Sequence, residues 1–421
     1  MGMTISEKIL ARRSGARKVL PGDLVVVEVD TAVFIDNAFL PASWREVLKV
    51  HDPRKLVVIF DHRAPASDRV SAGSHVTGRA FVKRFGIERF HDVGREIGIA
   101  HVVVSDRAYA LPGTVLVCAD SHTCSGGAFN CAARGVGAPD MIYAATTGKT
   151  WFRVGETIRY DLEGRLGPGV TTKDVFLHIA GEFGEHANQN VEFGGSGLQH
   201  LSLNARRTIS TMGAELSAEF ATFEVDDLLL DYVRQRNPAP FEAQYPDKDA
   251  VYKERRTIAL DTMEPLVALP DTVVNNSVKI SKVAGEKIDQ AFIGSCANGT
   301  LDDLKIAAHV LKGRRIASSV RLIVTPGSQE IYRDALRAGY IEILMEAGAV
   351  VTNATCGACG GGHLGVLGPN ETCITASTRN FKGRMGDPSA RIFMASPATV
   401  AASAVAGSIT HPGEFTKEAL S

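Results

Sequence analysis

Cys296 stands alone in the run Ile293-Gly294-Ser295-Cys296-Ala297-Asn298-Gly299, and sixty residues on Cys356 and Cys359 form a C-x-x-C pair inside Thr355-Cys356-Gly357-Ala358-Cys359-Gly360-Gly361-Gly362-His363. Three thiols from two separate loops suit a metal or cluster with one coordination position left open, where a substrate can bind. The glycines around them lack a Cβ and let the backbone approach a bound group closely. The chain has seven cysteines. An odd count without a secretory signal argues against a disulfide framework and fits a reducing, cytoplasmic compartment. A structural zinc site would want two close pairs, and only one exists. A thioredoxin-like redox pair has different surroundings. An iron–sulfur cluster on three cysteines is the best reading of the spacing. Cys118, Cys124, Cys131 and Cys373 are expected as buried small hydrophobes.

These loops need a scaffold, and the chain alternates short apolar runs with amphipathic stretches. Strands are expected at Leu24–Val29, Lys55–Phe60, Thr114–Cys118, Ala291–Ile293, Arg321–Thr325, Ala349–Thr352, Thr372–Thr375 and Arg391–Met394. Helices are expected at Pro139–Lys149, Leu301–Leu311 and Gln329–Ala338, and a capping box of Thr4 and Glu7 opens a helix that Gly15 ends. This βαβ rhythm predicts α/β domains with mainly parallel sheets. Turn-rich stretches near Val154–Pro168 and Asp261–Asn276 divide the 421 residues into three such domains, 1–155, 156–275 and 276–421, packed around the metal site. Hydrophobic residues make up 45% and charged residues 22%, and Lys plus Arg (46) balances Asp plus Glu (47) at a net charge of −1. That balance points to no nucleic-acid partner. No apolar run reaches the length of a membrane span.

The polar motifs follow the strands. Asp61-His62 comes after Lys55–Phe60, Asp120-Ser121-His122 after Thr114–Cys118, Cys296 after Ala291–Ile293, Cys356 after Ala349–Thr352, and Thr378-Arg379-Asn380 after Thr372–Thr375. Ligands bind at the carboxyl ends of strands in open α/β sheets. Five such placements predict sheets aimed at one shared site. Asp-His neighbours can fix an imidazole tautomer and its pKa for acid–base work. Arg379 and Arg384 can clamp carboxylates. An open iron is a Lewis acid for a hydroxyl or carboxylate. Together these suit elimination of water from a hydroxy-carboxylate.

Those segments resemble the aconitase superfamily, and within it the separate large subunits of the isopropylmalate dehydratase and homoaconitase type. The likeness runs through FDHRAP at 60–65, GIAH at 98–101, ADSHTCSGGAF at 119–129, ATTGKTWFRV at 145–154, GVTTKDVFLHIAG at 169–181 and RRTISTMGAE at 206–215. It continues through FIGSCANGTLDDL at 292–304, GAVVTNATCGACGGGHLGVL at 348–367 and STRNFKGRMGDP at 377–388.

The resemblance implies a [4Fe–4S] cluster on Cys296, Cys356 and Cys359, with its fourth iron binding substrate. It implies that Asp61 supports His62, Asp120 supports His101 and Glu215 supports His122, and that Ser121, Arg379 and Arg384 contact substrate. It also implies a hydro-lyase acting on a small hydroxy-dicarboxylate, first among them the conversion of 2-isopropylmalate to 3-isopropylmalate. A histidine, His62, would protonate the departing hydroxyl. The chain ends at Ser421 without the superfamily's mobile fourth domain, so the expected partner is a small subunit of the swivelling-domain type, in a heterodimer or heterotetramer, supplying a serine base. Where the family has Asn, this chain has Thr211 and Thr378; Ile35, Val102 and Asp106 also depart from the pattern. These changes keep maleate, citraconate with citramalate, dimethylmalate and a homoaconitase substrate as alternatives. RNA binding by a cluster-free chain, or a non-catalytic cluster protein, are the readings from other classes.

Overall fold

The computed structural model describes residues 2–415. Its first sheet has five parallel strands in the order Arg89–His91, Leu56–Ile59, Thr31–Ile35, Val115–Cys118 and Ala132–Gly135. The three inner strands Thr31–Ile35, Leu56–Ile59 and Val115–Cys118 are buried at every position. Parallel strands covered on both faces lose the polar–apolar alternation in this way. The second sheet, also parallel, orders Ala221–Phe223, Gln189–Gly194, Glu156–Glu163 and Glu254–Ala259. The third has seven strands. Its parallel part runs Arg391–Ala395, Thr372–Thr375, Gln290–Ile293, Arg321–Val324 and Val350–Val351, and Ser277–Lys279 and Leu266–Ala268 add an antiparallel edge.

Each expected strand and helix is present within a few residues of its expected ends. The opening helix, Ile5–Ser14, carries its capping box: the Thr4 amide donates to Glu7 Oε2 at 2.7 Å, and Gly15 closes the helix at φ 73°. Three readings need correction. Leu24–Glu28 joins no parallel sheet; it pairs antiparallel with Lys149–Arg153. The stretch 154–168 is no mere linker, because Glu156–Glu163 is an inner strand of the second sheet. It escaped notice because it buries Arg159, whose guanidinium is met by Glu192 at 3.0 Å and Asp161 at 2.7 Å. The change from second to third sheet falls between Ala259 and Leu266, ahead of residue 275.

Close packing places the site's loops. The 3-10 segment Ser121–Phe129 lies against Ala221–Phe223 so tightly that a Cβ on Gly127 would sit 1.9 Å from the Ala221 carbonyl oxygen. Gly127→Ala is therefore expected to lower the stability of the chain by about 1–3 kcal/mol, the usual cost of overpacking. Gly73, in the exposed interior of helix Arg69–Phe85, has open space around its Cα. Gly73→Ala should instead raise stability by about 0.5–1 kcal/mol. Urea unfolding midpoints of the two variants check both signs.

Candidate active site

The carboxyl ends of the first and third sheets face a cavity of about 260 Å³. Its wall carries His62, His101, Asp120, His122, Cys296, Cys356, Cys359, Arg379 and Arg384. Asp61 and Glu215 stand one contact behind it, and the exposed Ser121 meets Arg379 at 2.8 Å. The Asp61 main chain joins the two sheets: its carbonyl accepts from Thr355 Oγ1 at 2.7 Å and from the Cys356 amide at 3.2 Å. Ser295 holds a left-handed φ of 75° at the turn that delivers Cys296. A side chain other than glycine in that region is strained, and such strain gathers at working sites.

The acid–base groups form one continuous chain. Asp61 Oδ1 meets His62 Nδ1 at 2.7 Å, Asp120 Oδ1 meets His101 Nε2 at 2.7 Å, and Glu215 Oε1 meets His122 Nε2 at 3.1 Å. Asp120 is more than the partner of His101. Its Oδ2 lies 3.3 Å from His62 Nε2, and its Oδ1 lies 3.5 Å from His122 Nδ1 and accepts the His122 amide at 2.9 Å. Burial alone would raise the Asp120 carboxyl, but the hydrogen bonds from His101, His122 and His62 outweigh it and hold it well below 3.8. Burial likewise opposes charge on His62, and Asp61, the Cys356 sulfur and Asp120 overcome it, raising the imidazole well above 6.5. His122 is raised against burial by Asp120 and Glu215. Arg379 closes the chain, donating from Nε to Glu215 at 2.7 Å and from Nη2 to Ser121 Oγ at 2.8 Å.

The thiols differ among themselves. Burial pushes the Cys356 thiol up to about 12 and raises Cys296 well above 9. Burial also acts on Cys359, yet Arg384, whose Nη2 lies 3.6 Å from its sulfur, draws it down to about 7. Thr378 Oγ1 stands 3.6 Å from the same sulfur. The one trio of His, Cys, Asp or Glu ligand atoms within 4.8 Å of one another, among the described residues, is Asp61, His62 and Cys356. The three cysteine sulfurs are therefore more widely spread than a single tetrahedral ion allows, since metal–sulfur bonds of about 2.3 Å put sulfurs about 3.8 Å apart. Their spread, the glycine loop at 360–362 and the nearby guanidinium fit a larger, anionic group. Cys118, Cys124, Cys131 and Cys373 are buried and do not line the cavity.

Four residues that sequence reasoning passed over belong to the site. Asn37, Arg63 and His363 line the cavity. Asp36, buried behind it, accepts the amides of His62 at 3.1 Å and Arg63 at 2.7 Å and so shapes the Asp-His turn. The available signal was the position of Asp36-Asn37 directly after Thr31–Ile35, a strand not recognised from the sequence. Among the departures from the family pattern, Ile35 and Val102 are core residues, and Asp106 accepts from Ser328 Oγ at 2.9 Å. The Thr211 hydroxyl is buried with no hydrogen-bond partner among the described residues.

The sequence pattern of the Aconitase family (aconitate hydratase) matches residues 61–407. The chain is 53% identical over 410 residues to a 3-isopropylmalate dehydratase large subunit of Mycolicibacterium smegmatis, covering 97% of each chain. From Methanothermobacter thermautotrophicus, a probable 3-isopropylmalate dehydratase large subunit is 43% identical, over 99% of this chain and 100% of the relative. A probable methanogen homoaconitase large subunit of the same organism is 41% identical, over 97% of each. The chain belongs to the aconitase family. Its α/β fold with largely parallel sheets is the fold of that family. Among the described residues no helix is long and apolar enough to cross a membrane.

Proposed function

We propose that this chain is the cluster-binding large subunit of a hydro-lyase that adds water to, or removes it from, a small hydroxy-dicarboxylate. One observation carries the reading: three thiols and three carboxylate–imidazole pairs converge on a single cavity that also presents two arginines. Cys296, Cys356 and Cys359 would hold a [4Fe–4S] cluster, which when bound supplies a Lewis acid with one open iron. Arg379 and Arg384 bind the substrate carboxylates from one wall. His62, only 24% exposed and held in place by Asp61, keeps its proton near neutral pH and delivers it to the departing hydroxyl. Asp120 fixes the three imidazoles relative to one another. The proton next to the carboxylate is taken by a base from a small subunit with a swivelling domain, and the large-subunit names of relatives matched over 97% or more of this chain support that partner.

The relative at 53% identity supports 3-isopropylmalate as the first substrate to test. A smaller acid is the second reading, because among the described residues Ile99 is the one branched aliphatic side chain on the cavity wall. An isopropyl group would depend on the partner for its apolar contacts. The probable isopropylmalate and homoaconitase subunits of one organism stand almost equally near, at 43% and 41%, and do not separate the substrates. The test is anaerobic reconstitution of the chain with iron and sulfide, with and without the small subunit. It is then assayed against 3-isopropylmalate, citramalate, dimethylmalate and maleate. Activity of the pair and none from the lone chain is expected; full activity of the lone chain refutes the partner. Arg379→Ala in the assembled enzyme should remove a charged hydrogen bond of about 1.5–3 kcal/mol, hence about 10–150-fold in kcat/KM. Unchanged kinetics in that variant would refute the clamp.

A further inference from the structure

Lys173 is the second residue of helix Thr172–Phe183 and is wholly buried. Its Nζ donates to the carbonyls of Ser377 at 2.7 Å and Ala376 at 3.2 Å, and lies 3.4 Å from Met212 Sδ. These acceptors are all neutral. No described carboxylate lies within 4.0 Å of the ammonium. An isolated cation out of water is costly. The helix start makes it worse, because the free amides there carry partial positive charge and favour anions.

The nearby carboxylates are engaged elsewhere. Asp174 accepts the Leu266 amide at 3.0 Å and the Thr171 amide at 2.8 Å. Asp303 accepts from Thr300 Oγ1 at 2.6 Å and Asn298 Nδ2 at 3.0 Å, and Glu215 serves His122 and Arg379. Burial brings the Lys173 ammonium down to about 8, opposed by Asp303, Cys359 and Glu215; Thr378, the residue after Ser377, stands 3.6 Å from the Cys359 sulfur. The carbonyls that Lys173 holds lead directly into Thr378 and Arg379. A cluster core on three thiolates is a net anion, and buried cations beside such a group tune its potential and retention.

We propose that Lys173 is the buried counter-cation of the cluster, a positioning residue on the second sheet's side that stabilises the charge carried by the three cysteine thiolates. This rests on the cluster reading above. It makes the lysine a cost in the cluster-free chain and a gain in the loaded one.

The test compares wild type, Lys173→Met and Lys173→Arg as full-length chains reconstituted anaerobically with iron and sulfide. The Met variant should show a more negative cluster midpoint potential in an EPR-monitored titration. Its cluster should be about 10–100-fold less well retained against a chelator, the range for outer-shell partners of a bound metal. Without the cluster, the Met variant should be at least as resistant to urea as wild type. The Arg variant, keeping the charge, should hold a near-wild-type potential. A loaded Met variant with wild-type potential and retention overturns the proposal. So does a Met variant that unfolds or weakens as a cluster-free chain, since the ammonium would then be a strut for the 376–377 turn. A wild-type chain that takes up no cluster removes both this proposal and the reading beneath it.

Discussion

Cys359→Ala is expected to leave the chain folded but unable to keep a cluster, and to reduce activity of the assembled enzyme to background. Cys359 is the thiol that Arg384 prepares: the guanidinium draws it to about 7, while burial keeps Cys296 and Cys356 protonated without a metal. Metal ligation needs the thiolate. Losing this ligand should cost more than the about 10–100-fold that loss of an outer-shell partner costs. The substitution also strips Arg384 Nη2 of its sulfur, and Arg384 Nε is already buried with no hydrogen-bond partner among the described residues. Cys124→Ala is the control. Cys124 is buried, makes its contact to the Thr211 carbonyl at 3.3 Å and does not line the cavity. It should cost only packing, about 1 kcal/mol, and leave iron content intact. Iron and sulfide content after anaerobic reconstitution decides the matter. Full loading of the Cys359 variant would remove this residue from the ligand set.

The placement of this cavity was legible in the sequence because its chemistry follows strands. Asp61, Asp120, Cys296 and Cys356 each come one to five residues after an apolar run that does form a parallel strand. What stayed hidden was of two kinds. Strands that bury charge, such as Glu156–Glu163 with Arg159 inside, do not look apolar, because Glu192 on the neighbouring strand meets the guanidinium only once the sheet exists. Contacts across long separations have no local signature. Nothing near residue 215 announces that Glu215 will meet both His122 and Arg379, or that Asp120 will face three imidazoles at once. Family likeness supplied the pairing with His122; the hub at Asp120 came from the fold.

His62→Gln should keep the cluster and the fold yet lower kcat of the assembled enzyme by about 10²–10⁴-fold, the span for one positioned acid. Glutamine keeps a polar side chain on the cavity wall but has no proton to give. The pH profile carries the sharper part of the expectation. With its pKa raised well above 6.5, His62 stays protonated through neutrality, so wild-type kcat/KM should fall only as pH rises through that raised value. The Gln variant should lack this basic limb. The same pairings set stability. The proton held by His62 contributes stability that is complete below 6.5 and lost as pH rises through its raised value. Asp120, held well below 3.8, contributes stability that is complete above 3.8 and lost as pH falls through its lowered value. Between those two ordinary values both contributions are present in full. Removing His62 should therefore cost most stability within that window and progressively less as pH rises beyond it. Urea midpoints of wild type and variant across pH measure the difference. A gap that widens toward alkaline pH would show that His62 is neutral in the folded chain and cannot be the proton donor.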